Sequence, residues 1–171
     1  MRYAVAMTIF FTLLMMSINL SYEVFKLKDS SQSIDSIYKE DPNLLFLLDP
    51  GSSFYQTYSI EAEPPYLPAR KLAHFFVFGF LALLIYVLLP GETLWKRGWL
   101  AFISASIVGA LDEMHQYYLV NRSGRLLDVV INLVGTLTFI LLVTIGMLLF
   151  ILGQKLIWIL RRKEDAEKDI A

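Results

Sequence analysis

The sequence predicts an all-α protein, an integral membrane bundle of four helices. Three observations carry that prediction. Apolar residues make up 56% of the 171-residue chain and mean hydropathy is +0.54, above the share usual for a soluble domain. The charged residues, 18% of the chain, stand in blocks between long apolar runs, the pattern of membrane spans joined by aqueous segments. Tyr3 to Tyr22 contains no charge, and its twenty residues would span about 30 Å as a helix, the thickness of a hydrocarbon core.

That first run starts after Arg2 and reads as a retained helix over residues 1–22. It is long for a secretory leader, and no Ala-x-Ala site follows it. Residues 23–70 are rich in Ser, Asp, Glu and Pro and read as an acidic aqueous loop with little regular structure. Asn43 to Leu48 is a short apolar exception suited to the membrane surface. Leu72 to Pro90 reads as the second helix, with His74 its one ionisable residue and Pro90-Gly91 its stop. Gly98 to Leu111 is apolar for only 14 residues, about 21 Å of helix. To cross a bilayer the third helix must therefore continue through Asp112, Glu113, Met114, His115 and Gln116. Val120 to Asp128 reads as a polar loop, Val129 to Leu160 as a fourth helix longer than one crossing, and residues 161–171 as a charged tail. Residues 71–160 thus form a three-helix core. No internal repeat is visible, which disfavours a transporter of the inverted-repeat kind.

Charge and cysteine content limit the function classes. The net charge of −1 gives no global field for nucleic acid. Cysteine is absent, so disulfide and thiolate chemistry are excluded. Lys96 and Arg97 lie in the shortest loop, and Arg161, Arg162 and Lys163 follow the last helix. Both groups belong in the cytoplasm by the positive-inside rule. The expected topology is a multi-pass cell-membrane protein with both termini inside and the acidic loop outside. Arg70 and Lys71 oppose the rule at the outer start of helix two.

Helical spacing places Lys71, His74 and Phe78 on one face, and Glu113 and Gln116 on another. Below Glu113, Gly109, Ala105 and Ala101 form a small-residue stripe that lets a neighbouring helix approach. Asp128, Asn132 and Gly135 form a matching stripe on helix four. The topology brings these outer ends together, so Lys71, His74, Glu113, Gln116, Arg122, Asp128 and Asn132 become neighbours, with Arg125 and Asp112 beside them. Ionisable groups at membrane depth point to function by default. The bland alternative is a clamp of ion pairs that locks the helix ends. His115 lies two residues from Glu113 and reads as an interfacial side chain. A metal held by His74, Glu113 and Asp128 is possible in ligand type, but the nearby cations Lys71 and Arg122 argue against it, and no metal or cofactor is expected. Asn121-Arg122-Ser123 matches the short glycosylation pattern.

Lys71-Leu72-Ala73-His74-Phe75 with Phe78-Gly79-Phe80-Leu81, followed by Glu113-x-x-Gln116, Arg122, Asp128, Asn132 and Gly135, resembles the motifs of the VanZ-like membrane proteins. The resemblance covers roughly residues 70–150. It implies a bacterial cell-envelope protein, in a family whose founding member is linked to resistance to the glycopeptide teicoplanin. This chain carries a Lys-x-x-His form of the first motif that the founding member lacks. On this reading His74, Glu113 and Asp128 are candidate catalytic residues, and Lys71, Gln116, Arg122 and Asn132 are candidate binding residues. The expected partners are the lipid bilayer and the anionic headgroup of a phospholipid or lipid-linked cell-wall precursor, because arginine suits bidentate phosphate contact. The alternative is a non-catalytic scaffold or binding module whose polar cluster is a clamp.

Overall fold

The computed structural model describes residues 2–30, 37–39, 43–56, 67–89, 93–120 and 122–168. It is an all-α bundle of four helices: α1 (Arg2–Ser30), α2 (Leu67–Leu88), α3 (Leu94–Tyr118) and α4 (Leu126–Lys168). Three of these contain stretches long and apolar enough to cross a membrane, within Arg2–Phe25, Arg70–Leu88 and Leu126–Lys163. The Pro90-Gly91 stop and Asn121 of the glycosylation pattern lie outside the described residues, as do residues 57–66 of the Pro-rich stretch.

The helices alternate in direction. Arg70 at the start of α2 meets Asp128 at the start of α4, so these two run the same way. Arg97 near the start of α3 reaches back to the carbonyls of Tyr86 and Val87 at the end of α2, a cation closing a helix C-terminus whose last carbonyls lack internal partners. Thr93 caps α3 by accepting from the Lys96 amide. From there α3 returns along the whole bundle, and the end of α1 lies beside the end of α3, where Asn19 bonds Asp112. The end of the bundle holding residues 112–128 is polar, and the other end carries Lys96 and Arg97.

α3 is the least apolar of the helices and the one the others enclose. It packs against α1, α2 and α4, while α2 also packs along α4. Its buried face is Gly98, Ala101, Ser104, Ala105, Val108, Gly109, Asp112, Glu113, Gln116 and Tyr117. That sequence of small residues giving way to polar ones is the expected stripe, and it allows close approach without bulky interdigitation. Phe78, Ala82 and Ile85 from α2, Leu89 just after it and Ile140 from α4 complete the core around it.

Two corrections concern element ends. α1 does not stop at Tyr22 but continues to Ser30. Glu23 does not break it, because its side chain is buried and pairs with Arg122. α4 begins at Leu126, so Asp128 sits in its first turn, where a carboxylate is favoured by the exposed amides of the helix start. α4 has 43 residues, about 64 Å of helix against about 30 Å of hydrocarbon, and thus projects well beyond one crossing.

Part of the segment between α1 and α2 is ordered as a small cap on the polar end. Tyr38 pairs with Leu119 as an antiparallel bridge, and Phe46 stacks on Tyr117 at 4.1 Å between ring centroids. Phe54, in a short 3-10 helix (Ser53–Tyr55), packs edge-on against Phe46. The apolar run at Asn43 to Leu48 thus splits: Phe46 is buried, and Leu44, Leu45 and Leu48 are exposed. Burial lowers the pKa of Lys39, whose ammonium donates to the Tyr117 carbonyl.

The glycines show where backbones nearly touch. A β-carbon on Gly135 would stand 2.2 Å from the Phe75 carbonyl oxygen, whereas one on Gly146 meets nothing within 4 Å. Gly135→Ala must therefore separate α4 from α2 and should destabilise the protein by about 1–3 kcal/mol. Gly146→Ala should be neutral or stabilising by up to about 1 kcal/mol through helix propensity. Thermal unfolding of both variants in one detergent checks the contrast.

Candidate functional site

The polar end is organised around two adjacent carboxylates on α3. Consecutive helical residues point about 100° apart, so Asp112 and Glu113 serve different neighbours. Glu113 faces α2 and α4. Its Oε1 lies 3.2 Å from His74 Nδ1, and its Oε2 accepts the Arg125 backbone amide at 3.3 Å. His74 Nδ1 is also 3.2 Å from Asn132 Oδ1, and Asn132 Nδ2 reaches the Gly109 carbonyl. With two oxygen acceptors facing it, Nδ1 carries a proton. Asp112 faces α1. It accepts from Asn19 and, at 2.8 Å, from Gln116 Nε2 one turn along its own helix.

The flanking cations are paired across helices. Arg70 bonds Asp128 at 3.2 Å and also donates to the Ser123 carbonyl. Arg122 lies 3.4 Å from Glu23 and covers the Tyr22 ring at 4.5 Å. The segment carrying Arg122 and Arg125 folds tightly over the end of α3. A β-carbon on Gly124 would fall 1.9 Å from the Glu113 carbonyl oxygen, so only glycine fits that turn.

A cavity of about 190 Å³ opens beside this network, lined by Met15, Asn19, Arg70, Ala73, His74, Val77, Phe78, Asp112, Gln116 and Arg122. α3 forms its floor and α1 and α2 its walls. Those two walls scarcely touch each other, since α1 packs on α3. Side-chain exposure falls inward: 23% for Arg70, 19% for Arg122, 13% for His74, and 0% for Glu113, which contacts His74 but does not line the cavity.

Among the sequence-predicted residues, His74, Glu113 and Asn132 form one contact network. Gln116 joins Asp112 instead of Glu113. Asp128 and Arg122 each belong to an ion pair at the edge. Lys71 is half-buried and is not part of the cavity wall; its neighbour Arg70 provides the cation there. His115 is half-buried and stands edge-on to Tyr38 at 6.3 Å, away from the cavity. Sequence reasoning missed Asn19 and Glu23 and treated Arg70 only as a topological exception. The signal was present: Asn19 is the one amide in an uncharged run and lies four residues, one helical turn, before Glu23. Chemically, the network can pass a proton between His74 and Glu113 or hold a cation, and the rim can bind an anion.

The VanZ/LLP1 family model matches residues 3–155, nearly the whole chain and α1 with it. The chain belongs to the VanZ/LLP1 family. No curated protein and no solved structure matches it. Family membership and the three long apolar helices make it a VanZ-like membrane protein. The match extends the resemblance seen between residues 70 and 150 to the helix that supplies Asn19 and Glu23.

The Arg70–Asp128 pair is asymmetric, with Asp128 nearly enclosed and Arg70 reaching water. Arg70→Ala strands a buried carboxylate and should cost about 3–5 kcal/mol. Asp128→Asn leaves an arginine that can rehydrate and should cost distinctly less. Unfolding midpoints of the two variants test the order.

Proposed function

We propose that this VanZ-like membrane protein binds the anionic headgroup of a phospholipid or lipid-linked cell-wall precursor between α1, α2 and α3. The observation that carries the reading is the cavity rimmed by Arg70 and Arg122. Guanidinium groups match phosphate oxygens in bidentate geometry, and two of them lining one cavity suit a phosphate-sized anion. The remaining wall is apolar, through Met15, Val77 and Phe78, as the upper part of a lipid tail requires. The separation of α1 from α2 supplies a sideways entry, so a lipid reaches the site without leaving the bilayer. On this reading Gln116 and His74 meet the headgroup from the cavity lining, while Glu113 and Asn132 position His74 and Asp128 positions Arg70. A role in glycopeptide resistance follows if the ligand is the precursor that such drugs target.

The topology belongs to the same proposal. The polar end faces outward and α3 is a fourth crossing, shielded by its neighbours. The projecting end of α4, with Arg161, Arg162 and Lys163, lies in the cytoplasm. Because the chain has no cysteine, Asp49→Cys and Lys163→Cys can each be introduced singly. A membrane-impermeant maleimide should label the first in intact cells and the second only after permeabilisation; the reverse pattern inverts the assignment.

A second reading has its own support, since both arginines already hold partners and tie helix ends together. That is what a clamp would do. Lipids retained by the purified protein decide between them. Mass spectrometry should show a bound anionic lipid that falls at least about tenfold, about 1.4 kcal/mol, in Arg70→Gln/Arg122→Gln and is unchanged in Lys155→Gln. If the double variant keeps its helical circular dichroism and retains lipid like wild type, headgroup binding fails and the clamp stands.

A further inference from the structure

We propose that His74, Asp112 and Glu113 form a binding site for a divalent first-row transition metal at the inner edge of the cavity, which His74 and Asp112 line and Glu113 does not. One ligand atom from each residue lies within 4.8 Å of the other two. Ligands about 2.1 Å from a shared cation sit roughly 3.0–3.4 Å apart across an octahedral or tetrahedral edge. His74 Nδ1 and Glu113 Oε1, at 3.2 Å, already have that separation, and a metal would displace the Nδ1 proton as it binds. One imidazole with two carboxylates favours a first-row ion such as Mn²⁺ or Zn²⁺ over Mg²⁺ or Ca²⁺, which prefer oxygen alone.

Two further observations point to a ligand. Gln116 Oε1 is buried without a hydrogen-bond donor and lines the cavity, and Glu113 Oε1 faces only the His74 Nδ1 proton that it shares with Asn132. An unsatisfied buried oxygen is costly, and a cation with its coordinated water would satisfy both. The charge distribution agrees. Arg122 is matched by Glu23 and Arg70 by Asp128, and Lys71 is not part of the cavity wall, so the objection raised by Lys71 and Arg122 loses its force. Asp112 accepts from amides, and Glu113 from a backbone amide beside an imidazole. Both carboxylates are buried, and an added cation beside them is favoured by opposite charge.

The cavity leaves coordination positions open, which is the difference between a reactive metal site and a closed structural one. An anionic headgroup oxygen would fill one of them. That last step rests on the proposed headgroup binding; the cation site itself does not.

The test uses the full chain in detergent, stripped with chelator and titrated with Mn²⁺ alone. One ion per chain is expected by electron paramagnetic resonance, with coupling to an imidazole nitrogen in the pulsed spectrum. Glu113→Gln and Asp112→Asn, which keep side-chain size, should each weaken binding by more than about a hundredfold, beyond the loss typical of residues that merely orient ligands. The nitrogen coupling needs only the wild-type protein, so it decides the matter even if a variant does not fold. No bound Mn²⁺ in helical wild-type protein, binding without nitrogen coupling, or unchanged binding in a folded Glu113→Gln protein would each overturn the site. Lipid retention by the metal-free protein reads the headgroup proposal separately, so either can fail without the other.

Discussion

Two adjacent carboxylates are buried at one end of α3, and most of the architecture answers to them. Asp112 is 3% exposed and Glu113 is fully enclosed. An ionised carboxylate in such surroundings costs several kcal/mol unless hydrogen bonds and opposite charges offset it. No single neighbouring helix can do this, because the two side chains point about 100° apart. α2 therefore brings His74, the turn before α4 brings the Arg125 amide, and α1 brings Asn19. The polar end holds all four helices together because each has a residue committed there.

That convergence is possible only because the backbones come close. Asn132 must reach both His74 and the Gly109 carbonyl, and a β-carbon on Gly109 would press on Asn132 at 3.1 Å. Gly135 admits the Phe75 carbonyl, and Gly124 lets the loop fold over Glu113. Without a strong hydrophobic force between helices in lipid, tight contact at small residues does the associating. The same contacts fix the distances within the polar network. Packing and site chemistry are thus set by one group of residues.

The sequence made the all-α class, the helix count and the polar face of α3 legible, since uncharged runs and small-residue spacing are local patterns. The 14-residue apolar stretch before Asp112 required the helix to continue, and α3 does run through to Tyr118. Other features depended on pairing at long range. Glu23 looks like the start of an aqueous segment because its charge is visible and its partner, 99 positions away at Arg122 (122 minus 23), is not. Arg70 and Lys71 are equivalent in composition, and only the rotation of α2 against α3 and α4 turns Arg70 toward Asp128. The pairing of Gln116 with Asp112 in place of a shared face with Glu113 follows from which helix lies opposite each. Local spacing identifies the residues that need partners, and tertiary packing assigns the partners.

The helices are held by different means. α2, α3 and α4 pack on one another through glycine contacts. α1 lies on α3, and at the polar end it is tied by Asn19 to Asp112 and by Glu23 to Arg122. Glu23 is fully buried, so separating it from Arg122 would strand a buried carboxylate, and Ala4 and Phe11 anchor the first half of α1 in the shared core. The polar contacts of α1 involve Asp112 and Arg122, which both line the cavity. Occupancy of the cavity and the position of α1 are therefore coupled through shared side chains: whatever engages Arg122 competes with Glu23, and whatever engages Asp112 competes with Asn19.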